Sequence, residues 1–181
     1  MFYDIEVDPM REICYLHGVV ERLPDGSEKF HGFMLDDPTP AEEERIFAQM
    51  IDFLRQRQNW IMYYYSPYER TWWRKLQVRY PHLLSSDEVD DIFKAENGKS
   101  LDLLYKVAKK MIWPTIDHSI KTLAKYFGFN WRDNNPSGAA SVEWFDTWVN
   151  SRLHTDRQRI LDYNEDDCVA MRVMLDGVRG L

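Results

Sequence analysis

Cysteine is scarce in this sequence: Cys14 and Cys168 are the only two in 181 residues, they form no CxxC pair, and neither has a histidine at zinc-ligand spacing. That excludes a disulfide framework and a cysteine-based zinc knuckle, and reads as a reduced, cytoplasmic chain. Apolar runs long enough to cross a membrane are missing, and two acids stand where a secretory leader would carry cations. Surplus positive charge is missing too. The 23 Lys and Arg face 30 Asp and Glu, and a net charge of −7 opposes binding to a polyanion unless basic groups gather locally or cations neutralise the acids. No internal repeat, low-complexity tract or Gly/Ser linker interrupts the chain, so one domain over residues 1–181 is expected. A strand that begins at the first methionine suggests a domain excised from a longer protein.

What is present is a large apolar fraction, 44%, with seven Trp and ten Tyr. A chain of this size buries about 70% of its unfolded surface, and most of these rings are expected in the core. Residues 2–7, 13–20 and 30–35 read as strands, the third following the turn Pro24-Asp25-Gly26, which gives an antiparallel opening. Ile46, Phe47, Met50, Ile51 and Leu54 recur at helical spacing within 40–57. Residues 60–65 form a short strand-like run. Ser66-Pro67-Tyr68-Glu69 then reads as a helix start, with Ser66 as N-cap, Pro67 at the first helical position and Glu69 closing a capping box, and this helix runs to about 79. Helical patterns follow over 101–112, 119–127, 142–152 and 156–175. The order describes an α/β domain with a mixed sheet flanked by helices.

Two acids in the first strand need a reason. Asp4 and Glu6 are two apart and share a face, while Tyr3, Ile5 and Val7 take the other. On an exposed sheet edge the pair would simply be solvated; on a covered face the carboxylates would repel and lose hydration unless a hard cation, which prefers oxygen ligands, lay between them. Late in the chain, Tyr163 and Asp167 are four apart on one helical face beside the apolar stripe of Leu161, Cys168, Met171 and Leu175.

An Asp-x-Glu in the first strand, an acid after a middle strand and Tyr-x-x-x-Asp in a late helix resemble the DEDD (DnaQ-like) 3′-5′ exonucleases of RNase H-like fold, in their tyrosine variant. The segments Phe2-Tyr3-Asp4-Ile5-Glu6, Tyr15-Leu16-His17-Gly18, Tyr68-Glu69, Ser119-Ile120-Lys121-Thr122-Leu123, Gly128-Phe129-Asn130-Trp131 and Tyr163-Asn164-Glu165-Asp166-Asp167-Cys168 resemble, in the same order, the RNase H-like domain of predicted RecB-type nucleases. The resemblance implies that Asp4, Glu6 and Asp167 hold two divalent ions, Mg2+ or Mn2+, and that Tyr163 orients the attacking water. The histidine-bearing variant would place His where this chain has Asp162. The family's remaining acid is usually Asp; here Glu69 stands in its place, one methylene longer, with Asp102 as the rival.

The activity so implied is metal-dependent phosphodiester hydrolysis, in the 3′-5′ direction, on single-stranded or frayed DNA, in a setting such as DNA repair. Two other readings stay open: a catalytically impaired binding or structural module, and a structure-selective or RNA-directed endonuclease. Arg70, Arg74 and Lys121 are candidate substrate contacts, within a wider set of helical lysines that includes Lys106, Lys109, Lys110 and Lys125. The acidic stretch 87–96 is expected to face away from nucleic acid. The expected partners are nucleic acid, DNA before RNA, and a RecB-like nuclease or helicase domain in the same longer protein, with no membrane.

Overall fold

In the computed structural model, which describes residues 1–94 and 99–181, five strands form one mixed sheet. Their order is β3 (Glu28–Met34), β2 (Ile13–Arg22), β1 (Phe2–Asp8), β4 (Met62–Tyr64) and β5 (Ser100–Asp102). The first three strands form the expected antiparallel meander, and β4 and β5 extend it in parallel on the other side of β1. β1 is therefore the central strand, covered on both faces. This is the α/β architecture of an RNase H-like fold.

Strand alternation sorts the core. Tyr3, Ile5 and Val7 of β1, with Cys14 and Val19 of β2, pack against α1 (Pro40–Arg55), α2 (Tyr68–Arg79) and α3 (Ser86–Phe93), through Phe47, Met50, Trp72, Trp73 and Phe93 among others. The opposite face lies under α5 (Ile120–Tyr126), α6 (Gly138–Ser151) and the 26-residue α7 (His154–Arg179). A bulge in the β1–β2 ladder pairs Glu6 with Leu16 and Val7 with Cys14, leaving Tyr15 as the extra residue. Tyr15 and Leu16 thereby join the same cluster under α6 and α7, which plain alternation would forbid. Trp72, Trp73, Trp131, Trp144 and Trp148 are buried, as large rings in a core of this size should be.

Three local readings of the sequence are corrected. Ser66 is not an N-cap: its φ of 99° is left-handed, the cap position falls on Pro67, and no side chain caps α2, so Glu69 closes no capping box. A capping box does form one helix later, between Ser85 and Glu88, and it starts α3, which the acidic pattern of 87–96 concealed. Residues 95–96 of that acidic stretch lie outside the described residues; Val89, Ile92 and Phe93 bury the apolar side of the rest. Residues 101–112 are not one helix. Pairing with β4 draws Ser100–Asp102 into the sheet, α4 (Leu103–Lys106) is a single turn, and a 3-10 turn follows at Ala108–Lys110. A three-residue strand has no periodicity of its own to read; its neighbour decides it.

Two glycines position α7. Gly18 and Gly32 face each other across the β2–β3 ladder. A β-carbon on Gly18 would lie 1.5 Å from Asn164 Oδ1, and one on Gly32 would lie 2.9 Å from Leu161 Cδ2. Bare backbone at these positions lets α7 approach the sheet opposite β1. Among the described residues no helix is long and apolar enough to cross a membrane.

Candidate metal centre

Because β1 is central, the face that carries Asp4 and Glu6 is no solvated edge. Glu6 is only 5% exposed and Asp4 is half-buried. Asp167 reaches the same point from α7, and one oxygen from each of the three carboxylates lies within 4.8 Å of the others. Sequence spacing and fold thus bring together acids separated by about 160 residues. They line a cleft of about 370 Å3 with Tyr68, Gly138, Val142 and Tyr163.

The cluster is held by polar neighbours from four elements. Asn164, fully buried, donates its amide nitrogen to Asp4 Oδ2 at 2.8 Å and to Glu6 Oε1 at 3.5 Å. The bulged Tyr15 hydroxyl lies 2.7 Å from Ser141 Oγ and 3.4 Å from Glu6 Oε2. Trp131 Nε1 donates to Asp167 Oδ1 at 2.7 Å. Lys121 brings positive charge: its ammonium donates to the Tyr163 oxygen at 2.9 Å and stands 3.7 Å from Asp167 Oδ1.

These contacts leave the acids short of compensation. Burial and the charges of Asp167, Glu6 and Glu69 push Asp4 well above the usual carboxylate range, with Lys121 opposing. Burial, then Asp167, raises Glu6 to about 8 against the hydrogen bonds of Ser141 and Asn164. Asp167 is raised by burial, while Lys121, Trp131 and Tyr163 pull it down. Burial and the same acids push the Tyr163 phenol upward, so it stays protonated at neutral pH. Among the described residues four buried side-chain polar atoms have no hydrogen-bond partner, and two of them, Asn164 Oδ1 and Glu69 Oε2, belong to this region. A set of hard oxygen donors, converging and mutually repelling away from bulk water, suits a hard divalent cation.

The fourth acid is partly resolved. Glu69 is 3% exposed on the first turn of α2 and near enough for its charge to raise Asp4, yet it stands outside the trio whose oxygens converge. With the capping box gone, its carboxyl still meets the backbone of Tyr65 and of Glu69 itself at the start of α2. Burial drives its own carboxyl well upward, and Asp102 and Asp167 add to the rise. Asp102, the rival, is spent on structure: its Oδ1 caps α4 by accepting from Leu104 and Tyr105, and also accepts from the Ser66 amide at 3.2 Å. Of the basic candidates, only Lys121 reaches the cluster. Arg74 is turned to α3, where it pairs with Asp90 and bonds Ser86, and Arg70 is exposed. Gly138, the first residue of α6, lines the cleft, and Ser137 caps the helix.

Gly18, Trp131 and Asn164 stand in the segments that carry the family resemblance but were given no role there, and Ser141 was not singled out. Asn164 stands three residues before Asp167, a helical spacing that puts the two on neighbouring positions of one face, and that was the available signal. The others reveal themselves only through tertiary contact.

A family model of the RNase H superfamily, RNase_H_2, matches residues 1–178. No curated protein and no solved structure matches the chain.

Proposed function

The chain belongs to the RNase H superfamily, and from that premise we propose that it is a metal-dependent nuclease of the DEDD type, tyrosine variant, cutting single-stranded or frayed DNA from the 3′ end. The superfamily supports nuclease-type action on nucleic acid. The observation that carries the finer reading is the convergence of Asp4, Glu6 and Asp167 within 4.8 Å, on a covered face, in a cleft that Tyr163 also lines.

Asp4, Glu6 and Asp167, with Glu69 behind them, would hold Mg2+ or Mn2+, two ions in this reading. When bound, the ions supply Lewis acidity and cancel negative charge where a phosphodiester docks. Asn164 keeps the Asp4 and Glu6 carboxylates in register, and Trp131 does the same for Asp167. Tyr163, kept protonated, is no general base; with its oxygen accepting from Lys121, its single proton is directed into the cluster, where it orients water by hydrogen bonding. Lys121 is also a cation placed to meet a phosphate, though it is already shared with Asp167. The DNA setting, a role in repair and a RecB-like nuclease or helicase domain beside this one in a longer protein belong to the same proposal.

The test is release of mononucleotides from a 5′-labelled single strand in Mg2+ or Mn2+, with Asp4→Asn as control. Stepwise shortening from the 3′ end, abolished by the substitution, is expected. Cleavage of a closed circular strand would replace the exonuclease reading by an endonuclease. Strand binding without cleavage under either metal would make this a binding module.

A further inference from the structure

The cations of this acidic protein are unevenly placed. Residues 103–128 hold five lysines and one acid, Asp117, so this stretch is +4 in a chain of −7. Lys106, Lys109, Lys110 and Lys125 are exposed, and among the described residues the only lysine ion pair in the stretch is that of Lys121 with Asp167. The same stretch exposes apolar groups: Ile112 and Ile116 are fully open, at 101% and 97%, and Tyr105 is half open under the Lys109 ammonium.

This is not a loose loop. Trp113 Nε1 donates to the Ala108 carbonyl at 2.7 Å, and its ring meets Tyr126 and Phe127 edge-on. The Tyr65 hydroxyl donates to the His118 carbonyl, and Ser119 caps α5. Ile112 and Ile116 are thus held outward by anchors on either side of them. One turn beyond the second anchor, Lys121 enters the metal centre.

We infer that residues 105–121 form the surface along which a single strand of nucleic acid reaches the metal centre, Lys106, Lys109 and Lys110 meeting phosphates and Ile112 and Ile116 meeting unstacked bases. The inference rests on the nuclease reading, since the strand that follows this surface ends at the acids. A single strand offers the two chemistries the surface offers, anionic phosphates and apolar base faces, side by side. A duplex would match the lysines and leave the isoleucines facing water.

The experiment measures fluorescence anisotropy of a labelled 12-nucleotide oligothymidylate with the full chain carrying Asp4→Asn, over a salt series. Replacing Lys106, Lys109 and Lys110 by Ala should weaken binding at least ten-fold at low salt and flatten the slope of log K against log salt by about 2, from about 0.7 per lost phosphate contact. Ile112→Ser with Ile116→Ser should weaken binding about ten-fold and leave the slope alone. With Asp4 restored, both sets should hydrolyse the p-nitrophenyl ester of thymidine 5′-monophosphate, too short to reach the surface, with unchanged kcat/KM. Unaltered strand binding in both sets overturns the inference. So does co-sedimentation with phosphatidylserine vesicles that depends on these residues while strand binding does not, because the surface would then be a membrane contact. If unsubstituted protein hydrolyses neither ester nor strand, the nuclease reading fails by itself; a flattened salt slope would still support the binding surface.

Discussion

The two faces of β1 bury polar groups in opposite ways. On the face toward α1 and α2, Trp73 Nε1 donates to the Tyr3 oxygen at 2.6 Å, and the Tyr3 hydroxyl donates to His17 Nδ1 at 2.7 Å. The far nitrogen of His17 meets Cys14 Sγ at 3.6 Å, and Cys14 donates to the Leu16 carbonyl. Each donor in that chain has an acceptor, and no member carries charge. On the face toward α7, three carboxylates crowd together with their proton affinities raised. One strand, at alternate residues, supports a finished network and an unfinished one. A satisfied network stabilises the fold; a crowded set of carboxylates stores repulsion that a cation would relieve.

The largest test of this contrast is Asp4→Asn. Removing one repelling charge should raise the thermal midpoint of the metal-free protein, by about 2–4 °C for each kcal/mol relieved, while nuclease activity falls about 1,000-fold or more. Added Mg2+ should raise the midpoint of the unsubstituted protein and leave the variant unmoved. A variant less stable than its parent would mean that the cluster is a structural network after all. On the other face Tyr3→Phe should do the reverse. It strands Trp73 Nε1 and His17 Nδ1 together, at about 1–3 kcal/mol each, so denaturant melts should show the loss while activity below the transition persists.

Asn164 joins the two terms of the comparison, being a buried donor on the unfinished face. Asn164→Ala should lower activity about 10- to 100-fold through misplaced Asp4 and Glu6, and weaken the Mg2+-induced rise in midpoint, both read on the same preparation. A further test concerns pH. Burial lowers His17 to about 3, below the roughly 6.5 of an unfolded chain. Between those values the unfolded chain binds a proton that the folded one refuses, so the contribution of the neutral ring is whole above about pH 6.5 and is lost as pH falls, by about 1.4 kcal/mol per unit. Stability of His17→Gln, measured from pH 7 to 4, should decline less steeply than that of the parent by about one proton's worth.

Much of the centre was legible in the sequence because local periodicity is geometry. Period two put Asp4 and Glu6 on one face, and the i,i+4 spacing put Tyr163 beside Asp167. Glu69 was legible as a candidate for the fourth acid, but its local explanation was mistaken. The left-handed turn at Ser66, tied to Asp102, moves the start of α2, and a turn that depends on a side chain 36 residues away leaves no mark in a four-residue motif. The pairing of Arg74 with Asp90 was hidden for a similar reason: that acid belongs to a helix concealed in the acidic stretch.

The sequence by itself determined the α/β class, the antiparallel opening and three acids with a tyrosine, because these follow from spacing along one strand and one helix. Tertiary structure decided what those acids experience. It made β1 central and so buried the pair, used Gly18 to bring Asn164 onto them, spent Asp102 on a cap, and set Lys121 against Tyr163. Burial and long-range neighbours set the electrostatics of a carboxylate, and neither is a property of the residues beside it in the chain.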